Sequence, residues 1–479
     1  DNILQDKVQI VKPGDVSYGI EKTFARMFFS DSDTLTIRFE MTPDVIGSTL
    51  FIDYFQLNFW RHLKRVGDYY PFRITPDQYG EGDYSTVWVQ NVPLHFVLWD
   101  VTQPLSPYEQ EYSNTGGNML FVTEEKIEKR YVLFDVQAVK SVSSFRLIRN
   151  QNLHGIDDAD MLIFTHDKFV AQAQELADFH TQVDGMKCVV VNVEDVFNEF
   201  STGMPDPTGM RDFIRMVYRR TGSRLGYVTL FGKASADFRD IKGLGQNYVP
   251  CYEALPFSCQ ETESYCSDDY FGLMGANDGP ACAGYLDIAV GRIPVSTTEQ
   301  ADVVLRKIKH YHDNASTHGR WKNELLLAAD DDAHTCDYAK SANLCAKIMD
   351  TMFHVMNQTK LFLDEYPPTP TVSGNIHPEA NAELMRRFEK GVFAMFYLGH
   401  GGVTGLTQEQ FFTNTDIQTM TNYDKLPFVF TGTCQFSKFD SPLLVSAGER
   451  MFLQPEGGAI ALLTTTRSTY PGPNTKIGK

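Results

Sequence analysis

From residue 155 onward the chain alternates short apolar runs with amphipathic stretches of helical length, and it does so twice. Met161-Leu-Ile-Phe164, Cys188-Val-Val-Val191 and Tyr227-Val-Thr-Leu-Phe231 are the first runs, with helical patterns over 169–181 and 208–218 between them. A strand over 288–293 is closed by Pro294, and an amphipathic helix follows over 298–312. Past the polar patch Asn314-Ala-Ser-Thr-His-Gly319 the rhythm restarts with Glu324-Leu-Leu-Leu-Ala-Ala329. Helices over 338–353 and 379–389, strands over 392–398 and 428–430, a helix opened by Ser441-Pro442 and a strand over 458–463 complete it. Uninterrupted apolar strands separated by helices are buried on both faces, which requires parallel sheets joined by helical crossovers. The pattern predicts two consecutive α/β units, 151–318 and 319–479.

Residues 1–150 read differently. Short runs at 34–39, 50–57, 86–89, 94–99, 119–122 and 131–134 are separated by Gly, Pro, Asn and Asp clusters, with few helical patterns between them. With 34 Phe and 22 Tyr in the chain, this spacing predicts a β-sandwich.

The net charge of −18 excludes an ordinary nucleic-acid binder, since the chain would repel the phosphate backbone. No uncharged apolar run approaches the roughly 18 residues that span a bilayer. Asp1 to Lys12 is polar and mixed rather than a leader, so the sequence reads as a mature or excised piece. Four of the eight cysteines, Cys251, Cys259, Cys266 and Cys282, fall in one stretch. Their spacing lacks the close pairs of a zinc site, so disulfides in an oxidising compartment are the expectation. Cys188, inside an apolar run, reads as a small buried hydrophobe.

Ligands of open α/β sheets bind off the carboxyl ends of the strands. Three chemically active groups fall there in the last unit: His400 in Leu398-Gly-His-Gly-Gly402, Cys434 in Thr431-Gly-Thr-Cys-Gln435, and the triplet Asp330-Asp-Asp332. A base, a thiol and a carboxylate at one sheet edge are the parts of a cysteine nucleophile site. The glycines around His400 let the backbone approach a tetrahedral intermediate, which makes the Gly401 and Cys434 N–H groups the natural oxyanion hole. Each part has a bland alternative: a buried inert thiol, a glycine turn or phosphate loop, and a solvated or capping acid.

An apolar strand ending in His-Gly, followed by another ending in a small residue and Cys, resembles the caspase-like cysteine peptidases. The gingipain-type branch is the nearer match, through Asp269-Tyr-Phe-Gly-Leu-Met274, Ile288-Ala-Val-Gly-Arg-Ile-Pro294 and the helix ending His310-Tyr-His312. Thr433-Cys-Gln-Phe-Ser-Lys-Phe-Asp440, Leu98-Trp-Asp-Val-Thr-Gln-Pro104 and Asn198-Glu-Phe-Ser-Thr-Gly203 resemble the sortases of the type IX secretion system. The resemblance implies a gingipain-like pair of α/β subdomains behind an all-β sandwich, with further β domains after residue 479. It implies a bacterial cell-surface, outer-membrane-associated enzyme that removes the C-terminal signal domain of secreted cargo. The freed end would be joined to a lipopolysaccharide acceptor, with an attachment-complex protein such as PorV as partner. Cys434 and His400 match the family's catalytic pair, and Asp332 aligns best with its carboxylate. Calcium enters only through the resemblance, with Asp268, Asp269, Asn277 and Asp278 as oxygen ligands of the right kind; Asn277-Asp-Gly279 is also a turn in its own right. No other cofactor is expected. The other functions open to these residues are a hydrolytic endopeptidase without transpeptidation and a non-catalytic surface scaffold.

Overall fold

The computed structural model describes residues 36–40, 56, 60–76, 82–124, 127–254, 265–279, 282–313, 315–331, 337–372 and 374–477. Two compact units emerge, one over 28–149 and one holding 150–479.

The first unit is built from β1 (Tyr69–Ile74), β2 (Tyr84–Gln90), β3 (Phe96–Asp100), β4 (Tyr108–Glu109), β5 (Tyr112–Thr115), β6 (Asn118–Glu124) and β7 (Lys129–Asp135). They form two antiparallel sheets, β1-β7-β3-β4 and β2-β6-β5. Alternate residues of both sheets, among them Phe96, Leu98, Tyr131 and Leu133 from one and Val89, Met119 and Phe121 from the other, meet in one core. Period-two burial on facing sheets makes this a sandwich. The strand expected at 34–39 does not form over 36–39, where Ile37 and Phe39 stay exposed. The run 50–57 lies outside the described residues except for Gln56.

The second unit holds two sheets. β8 (Met161–Thr165), β9 (Cys188–Asn192), β10 (Tyr227–Phe231) and, after the short β11 (Tyr252–Glu253) and β12 (Cys266–Ser267), β13 (Ala289–Ile293) form a parallel sheet ordered β13-β10-β8-β9. Helices α1 (Val170–Asp184), α2 (Val193–Phe200), α3 (Pro207–Arg220) and α4 (Thr298–Asp313) cover it. Phe213, Ile214 and Val217 of α3 pack on one face with Phe164 and Leu230, and Ala173 and Leu176 of α1 pack on the other with Ile163 and Phe231. Burial on both faces explains why these strands read as continuous apolar runs.

β14 (Glu324–Ala329) and β15 (Asn357–Phe362) open the second sheet; a hairpin of β16 (Thr369–Thr371) and β17 (Gly374–Ile376) follows, then β18 (Ala394–Leu398). A small sheet, β19 (Gly401–Gly402), β20 (Gly405–Leu406) and β21 (Phe412–Thr413), precedes β22 (Phe428–Gly432) and β23 (Ala461–Leu463). The parallel order is β15-β14-β18-β22-β23. α5 (Tyr338–Met352) packs on one face, and α6 (Pro378–Lys390), α7 (Asn414–Thr419) and α8 (Ala447–Leu453) pack on the other, with α9 (Pro471–Ile477) after the last strand. The helix expected from Ser441 starts at Ala447 instead. Ser446 supplies the capping box, its Oγ donating to Glu449 Oε2 at 2.7 Å while the same carboxylate accepts the Ser446 N–H at 2.8 Å. Glu449 Oε1 also pairs with Lys233 Nζ at 2.9 Å, joining the two sheets through an ion pair removed from solvent on both sides.

The expected disulfides are absent among the described cysteines. Cys251, Cys266 and Cys282 are free thiols, and Cys259 lies outside the described residues. Cys251 and Cys266 are packed together, yet Cys266 faces Glu253, which puts Cys251 at the diagonal position. Their thiols are hydrogen-bonded to one another, and Cys251 also donates to Glu253 Oε1 at 3.4 Å.

Candidate active site

β14, β18 and β22 are neighbours in the second sheet, so whatever follows each emerges at one edge. Leu398 is in register with Ala329 on one side and Gly432 on the other. Asp330 is therefore one residue past the edge, His400 two residues past it on the central strand, and Cys434 two residues past it on the next.

Asp330 carries the ladder one step further, its N–H donating to the Leu398 carbonyl at 3.0 Å. That step turns its side chain into the protein, where it is fully buried. Its Oδ2 accepts two bonds from His400, from the backbone N–H and from the ring Nδ1, each at 2.8 Å. Its Oδ1 accepts the Asp331 N–H at 3.1 Å. A carboxylate can be buried when its lone pairs are met by N–H groups and a cation-forming ring. The pair fixes the proton on Nδ1 and turns Nε2 outward, and the hydrogen bond to Asp330 raises the His400 pKa above its ordinary value, against the opposing effect of burial. Neighbouring Asp331 and Glu409 push it the same way.

The main chain around His400 is held as firmly. Its carbonyl accepts from Tyr397 Oη at 2.8 Å and from the Thr407 N–H at 3.1 Å, and the Tyr338 ring stands edge-on to the imidazole at 5.5 Å. A Cβ on Gly399 would collide with Asp330 and Tyr397, and one on Gly401 with Thr433 Oγ1, so both positions demand glycine. The Thr407-to-His400 bond makes the next facing pair, Gly401 and Leu406, a non-hydrogen-bonded one. The Gly401 N–H thus points out of its small sheet.

Cys434 is half-buried on the loop leaving β22. The Thr469 N–H donates to its Sγ at 3.3 Å, and the following Gln435 adopts a left-handed φ of 52°. The segment 464–470 clamps this turn: the Thr433 carbonyl accepts from Thr465 Oγ1 at 2.6 Å and Thr469 Oγ1 at 3.0 Å, and Gln435 N–H donates to the Arg467 carbonyl at 3.2 Å. Arg467 is itself locked by a two-pronged, buried ion pair with Asp440. Sequence reasoning missed this segment. Its only signal is position, since a loop after the last parallel strand must emerge at the same edge.

The third acid differs from expectation. Asp332 lies outside the described residues, while the ring Nδ1 is taken by Asp330, two residues nearer the strand. One ring N–H serves one acceptor well, so the orienting place belongs to Asp330. The oxygen ligands thought suited to calcium do not converge. Both Asp268 oxygens bind Arg292 at 2.7 Å, and Asp278 Oδ2 accepts the Gly275 N–H of its own turn at 3.0 Å. The carboxylates that do approach one another are those of Asp330, Asp331 and Glu409, where burial and like charges raise the Asp331 pKa.

A family model described as peptidase family C25 matches residues 156–479. Gingipain R2 of Porphyromonas gingivalis is 22% identical over 314 residues, covering 65% of this chain and 37% of that protein. Gingipain R1 of the same organism is 22% identical over 310 residues, covering 64% of this chain and 27% of the relative. The chain thus spans well under half the length of these curated relatives. The crystal structure of the Arg-specific cysteine proteinase gingipain R shares the fold, with a TM-score of 0.52 at 19% identity over 69% of this chain and 67% of that one. The crystal structure of dimeric latent PorU from P. gingivalis matches at 25% identity with a TM-score of 0.46, over 53% of this chain and 26% of the other.

Proposed function

We infer the function from one premise: the chain belongs to peptidase family C25. It is a gingipain-type cysteine peptidase, and its chemistry is carried by the Asp330–His400 pair set beside Cys434 on adjacent strand ends. Cys434 is the nucleophile. Its thiolate, met by the Thr469 N–H and an imidazolium, attacks the scissile carbonyl carbon. The oxyanion that forms is received by the Gly401 and Cys434 N–H groups. His400 then gives its proton to the leaving nitrogen, the C–N bond breaks, and an acyl thioester remains on Cys434. Asp330 holds the ring and its charge throughout.

The fate of that thioester separates two readings. The one we favour is a surface sortase of the type IX secretion system, in which an amine on a lipopolysaccharide acceptor takes the acyl group from a cargo freed of its signal domain. The stretch Thr433–Asp440, with Leu98–Pro104 and Asn198–Gly203, supports it by resemblance. In a hydrolytic endopeptidase water takes the acyl group instead. Incubation with a cargo bearing a C-terminal signal domain and an excess of amine decides between them: a ligated product is expected, and cleavage to the free acid alone would refute the sortase reading. Outer-membrane attachment through a PorV-type partner belongs to the same proposal. No helix among the described residues is long and apolar enough to cross a membrane.

A further inference from the structure

The threonine hydroxyls around the nucleophile's turn are hydrogen-bonded, with one exception. Those of Thr431 and Thr464 bond each other at 2.6 Å, those of Thr465 and Thr469 donate to the Thr433 carbonyl, and that of Thr466 donates to the Cys266 carbonyl at 3.2 Å. Thr433 itself is 1% exposed, and its Oγ1 is closed to solvent with no hydrogen-bond partner among the described residues. A buried hydroxyl without a partner has lost its bonds to water and gained none in return. Folding alone asks for an apolar side chain at such a place. An orphaned polar atom one residue from a nucleophile therefore points to the reaction rather than to the fold.

The hydroxyl stands between two N–H groups. The peptide unit that carries the Cys434 N–H is the one leaving Thr433 Cα, so covalent geometry holds the side chain beside it. On the other side lies Gly401, where an added Cβ would meet Thr433 Oγ1 before any other atom. Register explains that contact. Leu398 faces Gly432 on adjacent parallel strands, so the chain after each runs past the sheet edge alongside the other. Thr433 Oγ1 thus adjoins both residues whose N–H groups receive the oxyanion in the peptidase reading.

We propose that Thr433 is a side-chain member of the oxyanion hole, its hydroxyl dipole turning toward the oxygen held by the Gly401 and Cys434 N–H groups. A hydroxyl bound to nothing rotates freely about its C–O bond, and out of water its field is poorly screened. It orients its proton without giving it up, so the steps of acyl transfer are unchanged. The inference rests on the peptidase reading, since the oxyanion forms only when Cys434 attacks a carbonyl.

Two substitutions isolate the oxygen from the rest of the side chain. Thr433→Ser and Thr433→Ala both lack the methyl group and differ from each other only in the hydroxyl. On a peptide substrate Thr433→Ser should keep kcat within about three-fold of the parent chain. Thr433→Ala should fall about ten- to a hundred-fold below Thr433→Ser, somewhat less than the loss of a direct hole donor. KM should be alike in the two, because the ground-state carbonyl carries little charge. Thr433→Ala should also melt no lower than Thr433→Ser, whereas a structural role would make activity and melting temperature fall together. Iodoacetamide alkylation of Cys434 is the control, since displacement of iodide passes through no oxyanion, and its rate should be the same in both variants. An alanine variant as active as the serine one, or one whose alkylation slows by the same factor as its turnover, overturns the proposal and leaves the peptidase reading standing. A parent chain without Cys434-dependent turnover overturns the peptidase reading, and this inference with it.

Discussion

Asp330→Asn perturbs the site at one atom and tests the assignment that the sequence did not make. The carboxylate accepts three N–H donors, two from His400 and one from Asp331. An asparagine keeps the shape but turns one oxygen into an NH2 group, so a donor must face a donor or the imidazole must change tautomer. In the second case the Nδ1 proton is lost, Nε2 becomes protonated in the neutral ring, and the base toward Cys434 disappears. The matched change in a serine peptidase triad costs about 10⁴ in kcat, and a thiol, already partly ionised near neutral pH, depends less on its base. A loss of roughly 10²–10³ in kcat/KM is expected, about 3–4 kcal/mol of transition-state stabilisation. The pH profile carries a second signature. The hydrogen bond to Asp330 holds the His400 pKa above 6.5, so the imidazolium persists to higher pH and the alkaline limb of kcat/KM lies above that value. In Asp330→Asn the limb should move down toward 6.5 or below. The assay is kcat/KM across pH on a peptide substrate, with thermal unfolding to confirm the fold and Asp332→Asn as the comparison. A loss under three-fold with an unmoved alkaline limb would refute the role of Asp330.

Three further expectations follow from the same geometry. Gly401→Ala drives a methyl group into the buried Thr433 Oγ1 and displaces the N–H proposed to receive the oxyanion, so activity should fall at least about a hundred-fold, read as kcat beside a melting temperature that should also drop. Iodoacetamide on the native protein should label Cys434 before Cys188 and Cys282, whose thiol pKa values are raised by burial, and long before buried Cys251, Cys266 and Cys345; peptide mapping gives the order. Burial lowers the Lys307 pKa to about 7, so the unfolded chain holds more protons at this site between about pH 7 and pH 10.4, and stability from this group rises with pH across that window. Lys307→Met should flatten that rise in urea titrations, and an identical pH dependence in the variant would contradict it.

The sheets were legible because their burial is extreme. Runs such as Met161–Thr165, buried at every residue, have no other reading once helices separate them. His400 and Cys434 were legible because glycine and a polar residue at a strand end are costly without a purpose. Asp330 was not, because three consecutive acids look alike until the ladder bond to Leu398 shows which one is still held at the sheet edge. The expectation favoured the acid farthest from the strand; a side chain is buried and oriented by the last ladder bond, and that bond belongs to the nearest. The start of α8 was readable in principle from Ser446-Ala-Gly-Glu449, a capping box that Ser441-Pro442 overshadowed. The segment 464–470 carries no motif because its contribution to Cys434 is a backbone N–H and a set of threonine hydroxyls, whose effect depends on place and not on residue type.

The central claim is that Cys434 forms an acyl thioester, and acid-quenched mass spectrometry of the protein during turnover of a signal-domain substrate tests it most directly. The account predicts a covalent adduct of the cargo on the Cys434 peptide, discharged when an amine is added and absent in Cys434→Ala, which should also leave the substrate whole. Cleavage that persists in a folded Cys434→Ala protein, with no adduct on the parent chain, would contradict it.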